Sequence, residues 1–296
     1  MPDVTLRQLQ YFVAVVDTGS VTAAAEAEHV SQAALSMSVA QLESNLGVDL
    51  LIRPRSRKVV PTLHGVQFAA HARRVLDSVE EAIEAVREGT GELAGNLRVG
   101  CSFTLSPRLI PELLHRMSRD HPLVRVDFTE GGPNEIQEEV RTGRLDLALL
   151  YSQQADPGLR WETLSSVQLH LVVPEDHVLA SRESVSVEDF IGMDAVFLNI
   201  PPTRERLLEQ LRTTGHEPTV RFTSGNMQTI LSLVARGYGY SLVNSPPQTG
   251  DTFDGRKVAY VPIHGLAESN AIVGVTAGQH RLSRRARAAL DALKGV

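Results

Sequence analysis

Between Phe68 and Val86 the apolar residues fall at intervals of four, three, four, three and four: Phe68, Ala72, Val75, Val79, Ala82 and Val86. Ala69, Leu76 and Ile83 recur every seven. This spacing predicts one long helix over residues 62–88 carrying a coiled-coil seam with a wider shoulder. Such a stripe is buried either on its own domain or against a second copy. The regularity, and a preceding module too small to offer another apolar partner, favour a dimer seam. Small Ala72 and Ala82 allow close helix approach. After the helix, the glycines of residues 89–95 read as a hinge or linker. With 296 residues, the chain has the length of about two domains.

Residues 5–46 read as three short helices. Leu6, Leu9, Phe12, Val13 and Val16 recur at helical spacing in the first. Ser20 is placed to cap a second helix over Val21–Glu28, and Ser31 a third that runs to about Asn45 and stops at Gly47. Two short helices joined by a tight turn, over about 21–45, make a helix-turn-helix. In the third helix Leu35, Val39, Leu42 and Leu46 share the side that packs inward. The opposite side carries Ala33, Met37, Ala40 and Ser44, flanked by Ser36 and Gln41, with no charge. A plain surface helix usually carries Lys and Glu. A small, neutral, hydroxyl-rich face suits the major groove, where Gln32 and Ser36 reach base edges and Ala33 or Met37 meets a thymine methyl.

The formal net charge is −6, so any nucleic-acid surface must be local. From Ile52 to Leu76 there is no Asp or Glu, while Arg53, Arg55, Arg57, Lys58, Arg73 and Arg74 all fall there. A lone basic run is commonly a solvated loop. Following a neutral helix of this kind, Arg53, Arg55, Arg57 and Lys58 read instead as a wing gripping phosphates beside the groove.

The run from Phe12 to Ala25, followed by Val30-Ser31-Gln32-Ala33-Ala34-Leu35-Ser36, Leu42-Glu43, Leu46-Gly47, Leu50-Leu51-Ile52-Arg53 and Thr62-Leu63-His64-Gly65, resembles the LysR-type transcriptional regulators. Family members often carry Arg or His, then Gln, then a basic residue where this chain has Met37, Ser38 and Ala40. Their frequent Leu-Thr is Pro61-Thr62 here. The resemblance implies a multidomain α+β chain. Its parts are a winged helix-turn-helix over 5–62 (all-α with a small β wing), a linker and dimerisation helix over 62–89, and an α/β effector-binding domain over 93–296. That domain resembles periplasmic binding proteins, with one lobe of about 93–165 and 266–296 and a second of about 166–265. It also implies contact with double-stranded promoter DNA through Thr22, Ser31, Gln32, Ala33, Ser36, Met37, Ser38 and the wing. Its partners would be a second copy in a homodimer or homotetramer, a small-molecule effector, and RNA polymerase.

From Asn96 the pattern itself alternates strands with helices. Strands are predicted at Leu97–Cys101, Val124–Thr129, Leu145–Leu150, Leu169–Val173, Ala195–Leu198, Val220–Phe222, Tyr240–Val243, Val258–Pro262 and Ala271–Thr276. Helices are predicted at Pro107–Arg119, Glu135–Arg141, Arg204–Arg212, Met227–Ala235 and Ser283–Leu293. Ligands of open α/β sheets sit at the carboxyl ends of strands, near helix N-termini. Ser102, Thr104, Thr129, Asn199, Thr203, Arg204 and Asn226 occupy such ends and are the effector candidates. Taken alone, each of Ser102, Thr203 and Asn226 reads more readily as a helix cap than as a ligand contact. Arg204 in a first turn opposes the helix dipole, so either a bound anion or Glu205 or Glu209 offsets it. The set favours a small anion such as a carboxylate, and Glu130 would instead admit an amine.

Two other function classes fit the second half alone. A solute-binding protein would carry a secretion signal, and Met1–Arg7 lacks the basic start and apolar stretch of one. An enzyme would need a nucleophile, a base or a cofactor loop, and no HExxH, GxGxxG, Walker or GxSxG motif is present. The single cysteine, Cys101, excludes an intrachain disulfide, reads as a buried strand residue and fits the cytoplasm. The expectation is a non-enzymatic regulator with no cofactor, no metal and no membrane segment.

Overall fold

The computed structural model describes residues 3–52, 58–87, 93–244, 246–266, 270–277 and 282–296; the side chains of residues 81 and 84–87 are outside this set. The N-terminal module comprises α1 (Leu6–Thr18), α2 (Val21–Ala27), α3 (Gln32–Leu46), and a two-stranded antiparallel wing of β1 (Leu51–Ile52) and β2 (Val60–Pro61). Each helix start is chemically specified. Thr5 and Gln8 form a reciprocal capping box on α1. The hydroxyl oxygens of Ser20 and Ser31 accept from Ala23 and Ala34 N–H at 3.3 and 3.2 Å. Gly47, left-handed at φ 68°, ends α3. Phe12, Val15, Ala24, Leu35, Val39 and Leu42 close the core.

The long helix α4 spans Leu63–Arg87. Its first half does not wait for a second copy. Phe68 packs edge-on to Phe12 at 5.5 Å, and Ala69 and Ala72 are buried. The expectation that the N-terminal module offers this stripe no partner is corrected, because α1 covers its first two turns. Gly65 makes the approach close: a Cβ there would stand 2.0 Å from the carbonyl oxygen of Leu50. The predicted hinge is shorter than its glycines suggest, since Ala94 and Gly95 already belong to β3.

The C-terminal region holds two sheets whose strand orders correspond once the antiparallel strand of each, β12 (Asn270–Thr276) and β7 (His170–Pro174), is set equivalent. The first uses β3 (Ala94–Ser102), β4 (Leu123–Gly131), β5 (Leu147–Tyr151), β6 (Arg160–Val167) and β12 (Asn270–Thr276), in the order β4-β3-β5-β12-β6. β3 runs parallel to β4 and β5, and β12 antiparallel to β5 and β6. Helices α5 (Ser106–Asp120), α6 (Pro133–Arg141) and α9 (Arg284–Ala292) cover it. In the second, β10 (Ser241–Val243), β7 (His170–Pro174) and β11 (Val258–Pro262) pair antiparallel in the order β10-β7-β11. β8 (Ala195–Leu198) and β9 (Val220–Ser224) pair in parallel, and a bridge from Ala195 to Tyr240 sets β8 beside β10. Helices α7 (Thr203–Thr213) and α8 (Met227–Ala235) pack on it. The one strand absent from the sequence reading is β6, a sheet edge with Leu164 as its only fully buried apolar side chain.

Candidate nucleic-acid interface and effector cleft

Helix α3 turns Leu35, Val39 and Leu42 into the core and leaves Gln32, Ala33, Met37, Ala40 and Ser44 exposed, with Ser36 and Ser38 half-buried. Met37 is 71% exposed, a large apolar side chain held outward. Thr22 is exposed in the first turn of α2. Ser31 spends its oxygen lone pair on the Ala34 N–H cap, which leaves its O–H to donate outward. Thr22 and Ser31 are thus accessible at the starts of the two helices that carry this face.

The wing is fixed to that helix by a residue the sequence reading placed only within a motif. Glu43 is buried on α3, and its Oε1 accepts from the N–H groups of Leu50 and Leu51 at 2.9 and 3.0 Å. On the return, Val59 N–H donates to Gly19 O at 2.8 Å. Lys58 is exposed beside this contact. Arg53, Arg55 and Arg57 lie outside the described residues. Arg73, counted with them in the basic window, belongs elsewhere: it is 3% exposed and pairs with Asp17.

The effector candidates divide between the two sheets. Ser102, Thr104 and Thr129 lie at the carboxyl ends of β3 and β4, where Ser102 Oγ and Thr104 Oγ1 are 3.4 Å apart and Ser102 is paired in register with Gly131. Thr129 is exposed. Asn199, Thr203, Arg204 and Asn226 lie at the ends of β8 and β9, drawn together where Asn199 N–H donates to Ser224 O at 2.8 Å. Between the lobes, Gln154 Nε2, outside both sets, donates to Thr203 Oγ1 at 2.7 Å.

The capping alternatives resolve individually. Asn226 caps α8, accepting from Gln228 N–H at 2.8 Å. Ser102 and Thr203 do not cap; the cap residues are Leu105 and Pro202, without side-chain bonds. Arg204 donates to Glu205 at 3.1 Å, while its Nε is buried with no hydrogen-bond partner among the described residues. Cys101 is buried in β3, and burial, with Glu130 nearby, pushes its thiol up and out of the reactive range. No group of His, Cys, Asp and Glu that would hold a metal occurs among the described residues, and no described helix is long and apolar enough to cross a membrane.

A groove of about 960 Å³ separates the second half of α4 from the first sheet's layer. Val75, Val79, Ala82 and Ile83 line it opposite Leu145 and Ala277. Val75 and Ile83 are each 45% exposed, so this part of the seam is uncovered within one chain.

The sequence matches two family models, the bacterial regulatory helix-turn-helix of the lysR family over residues 6–66 and the LysR substrate binding domain over 90–296. It is similar to the HTH-type transcriptional regulator BenM of Acinetobacter baylyi, 29% identical over 87% of this chain and 85% of that one. It is also similar to the DNA-binding transcriptional dual regulator OxyR of Escherichia coli, 28% identical over 82% and 81%. Among solved structures, the LysR family regulator HinK of Pseudomonas aeruginosa aligns with a TM-score of 0.64 at 28% identity, covering 98% of this chain and 97% of HinK. A full-length OxyR variant from Pseudomonas aeruginosa aligns at 0.79 with 24% identity over 98% of both chains, a likeness of fold. A neutral, exposed helix face, a wing tied to that helix by a buried carboxylate, and two α/β lobes of matching order stand within these two matched regions, and the chain belongs to the LysR family of transcriptional regulators.

Proposed function

We propose that the chain binds promoter DNA with α3 in the major groove, as a dimer joined through α4 and as a tetramer of two such dimers, and that a small anion between the lobes controls it. The observation that carries the DNA reading is the exposed, uncharged face of α3. There Gln32, Ser36 and Met37 present an amide, a hydroxyl and an apolar tip to base edges. Residues 5–62 form the DNA-binding domain, 62–89 the linker, and 93–296 the effector-binding domain, its lobes being 93–165 with 266–296, and 166–265. RNA polymerase is the partner at the promoter, and the cytoplasm is the place of action. No catalytic step is assigned to any residue.

The test is DNA affinity across salt concentrations. Neutralising two of Arg53, Arg55 and Arg57 flattens the slope of log affinity against log salt by about one to two units, while Gln32→Ala relaxes preference at one base position. An unchanged slope rejects the wing contact, and uniform weakening over all sequences rejects the base contact. For the lobes, Ser102, Thr104, Thr129, Asn199, Thr203, Arg204 and Asn226 form the binding set. The unpartnered Nε of Arg204 favours an anion there. Calorimetry with a panel of small carboxylates on wild type and Arg204→Ala checks this: equal affinity in the two removes Arg204 from the site. Relatives include proteins named hydrogen peroxide-inducible genes activators. With one cysteine this chain forms no intrachain disulfide, and a small molecule in the cleft is the better-supported signal.

A further inference from the structure

We infer that α6 is a coupling rod between the interlobe cleft and the DNA-binding module, with Gln154, Gln137 and Arg73 as its positioning residues. At one end, α6 starts immediately after Gly131 and Gly132, where β4 delivers Thr129 to the cleft. There Gln137 donates to the carbonyl oxygens of Pro133 at 2.9 Å and Gln154 at 3.0 Å, and accepts from Asp156 N–H at 2.6 Å. Gln154 in turn reaches across to Thr203 in the second lobe. At the other end, Thr142 follows α6 and its carbonyl oxygen accepts from Arg73 Nη1 at 2.6 Å. The Arg73 Nη2 is ion-paired with Asp17, near the end of α1. The joints thus run from the second lobe through α6 and α4 into the DNA-binding module.

The physical force of the arrangement is burial. Gln137, Thr142, Gln154 and Arg73 are all buried polar residues. Each makes side-chain hydrogen bonds in this geometry, and a buried polar group that loses its partner is costly. If the second lobe shifts Thr203, the Gln154 amide must follow or go unpaired, and Gln137 follows Gln154. A nine-residue helix spans ~13 Å and moves as a unit. Its far end presents carbonyl groups and the negative end of the helix dipole to a cation. Desolvation lowers the Arg73 pKa while Asp17 opposes this. The inference rests on the proposed reading that an anion bound between the lobes controls DNA binding.

The test uses the full-length chain without ligand, spin-labelled at Glu26→Cys on α2 and Ser118→Cys on α5, diluted with unlabelled protein so that only intrachain distances contribute. Buried Cys101 stays unlabelled. The wild-type distribution is narrow. Arg73→Met broadens it, and so does Asp17→Asn, which keeps the test alive should Arg73→Met fold poorly. The decisive variant is Thr203→Val, which removes the hydroxyl that Gln154 donates to and touches neither α4 nor α1. It broadens the distribution too, and adds nothing in the Arg73→Met background. An unchanged distribution in Thr203→Val, or effects that add, overturns the rod. Gel shift on DNA upstream of the gene separates the two readings. DNA binding with an unresponsive distribution rejects the rod alone, and no DNA binding rejects the function and the rod together.

Discussion

The two lobes share a strand order and differ in how each is held. In the first, β3 and β4 pair over nine residues without a break, and Arg98 of β3 lies between Asp77 of α4 and Asp146 at 3.0 and 2.9 Å. In the second, β8 and β9 pair over four residues with a register shift, and one bridge joins them to the antiparallel trio. Aromatic packing compensates: Phe190 lies 4.9 Å from the Tyr240 ring, which also meets Phe197, and His216 hydrogen-bonds the Tyr240 hydroxyl at 3.2 Å. The lesson is that one architecture is used twice, once as a base tied to the linker helix by charge and once as a unit closed on its own aromatic core.

The sharpest way to break this contrast is Phe190→Ala. Removing a fully buried ring costs about 3–5 kcal/mol, and only the second lobe should register it. The lone tryptophan, Trp161, sits on β6 of the first lobe. Urea unfolding followed by Trp161 fluorescence should keep its wild-type midpoint, while circular dichroism shows an earlier additional transition. Coincident transitions would mean the lobes unfold as one.

A smaller effect is expected from Arg98→Met, which leaves Asp77 and Asp146 without their shared cation. Fully buried pairs cost about 3–5 kcal/mol to break; these groups are partly exposed, and about 1–2 kcal/mol is expected. The loss should appear in the Trp161 transition and leave the second-lobe transition in place. Burial already pushes the Asp77 carboxyl up despite Arg98, so removing the cation should raise it further. A carboxyl whose folded pKa is raised favours the folded state relatively more as pH falls, so the Arg98→Met deficit should shrink from pH 7 to pH 4.

The smallest effect belongs to the tight turn of the second lobe. Hydrogen bonds from Thr252, and the Arg236 guanidinium, hold Asp254 down at about 2. With a depressed folded pKa, its contribution is present above the ordinary carboxylate value of about 3.9 and is lost as pH falls toward 2. Thr252→Ala should move the Asp254 midpoint upward in a carbon-detected titration without altering the Trp161 transition at neutral pH.

What could be read in advance followed the range of the physics. Periodicity and caps act within a few residues, so α3, its neutral face and its stop at Gly47 were legible, as were the alternating strands with buried centres. β6 was not, because an edge strand with Arg160, Glu162, Ser165 and Ser166 shows no apolar alternation. Arg73 looked like part of a basic surface because the residue that defines it, Asp17, is far away in sequence and adjacent only after folding. Glu43 was visible as a letter in a motif, but its role depends on two N–H groups of the wing. Gln137 and Gln154 gave no signal, since an amide becomes informative only when its partners are known. For Arg204, its place in a first turn left a bound anion, Glu205 and Glu209 open, and the folded chain shows Glu205 taking one edge of the guanidinium.

The position of β12 has a consequence for synthesis. It lies between β5 and β6 in the first sheet, yet it is encoded after the entire second lobe. A nascent chain released from the ribosome as far as Pro262 holds every strand of the second sheet and all of the helix-turn-helix, while β5 and β6 still face an empty slot. Order of emergence therefore makes the first lobe the last to close, with two unpaired strand edges exposed until then. A messenger truncated before codon 270 would yield a product with its DNA-binding helices formed and its base sheet open, a species for proteases rather than promoters.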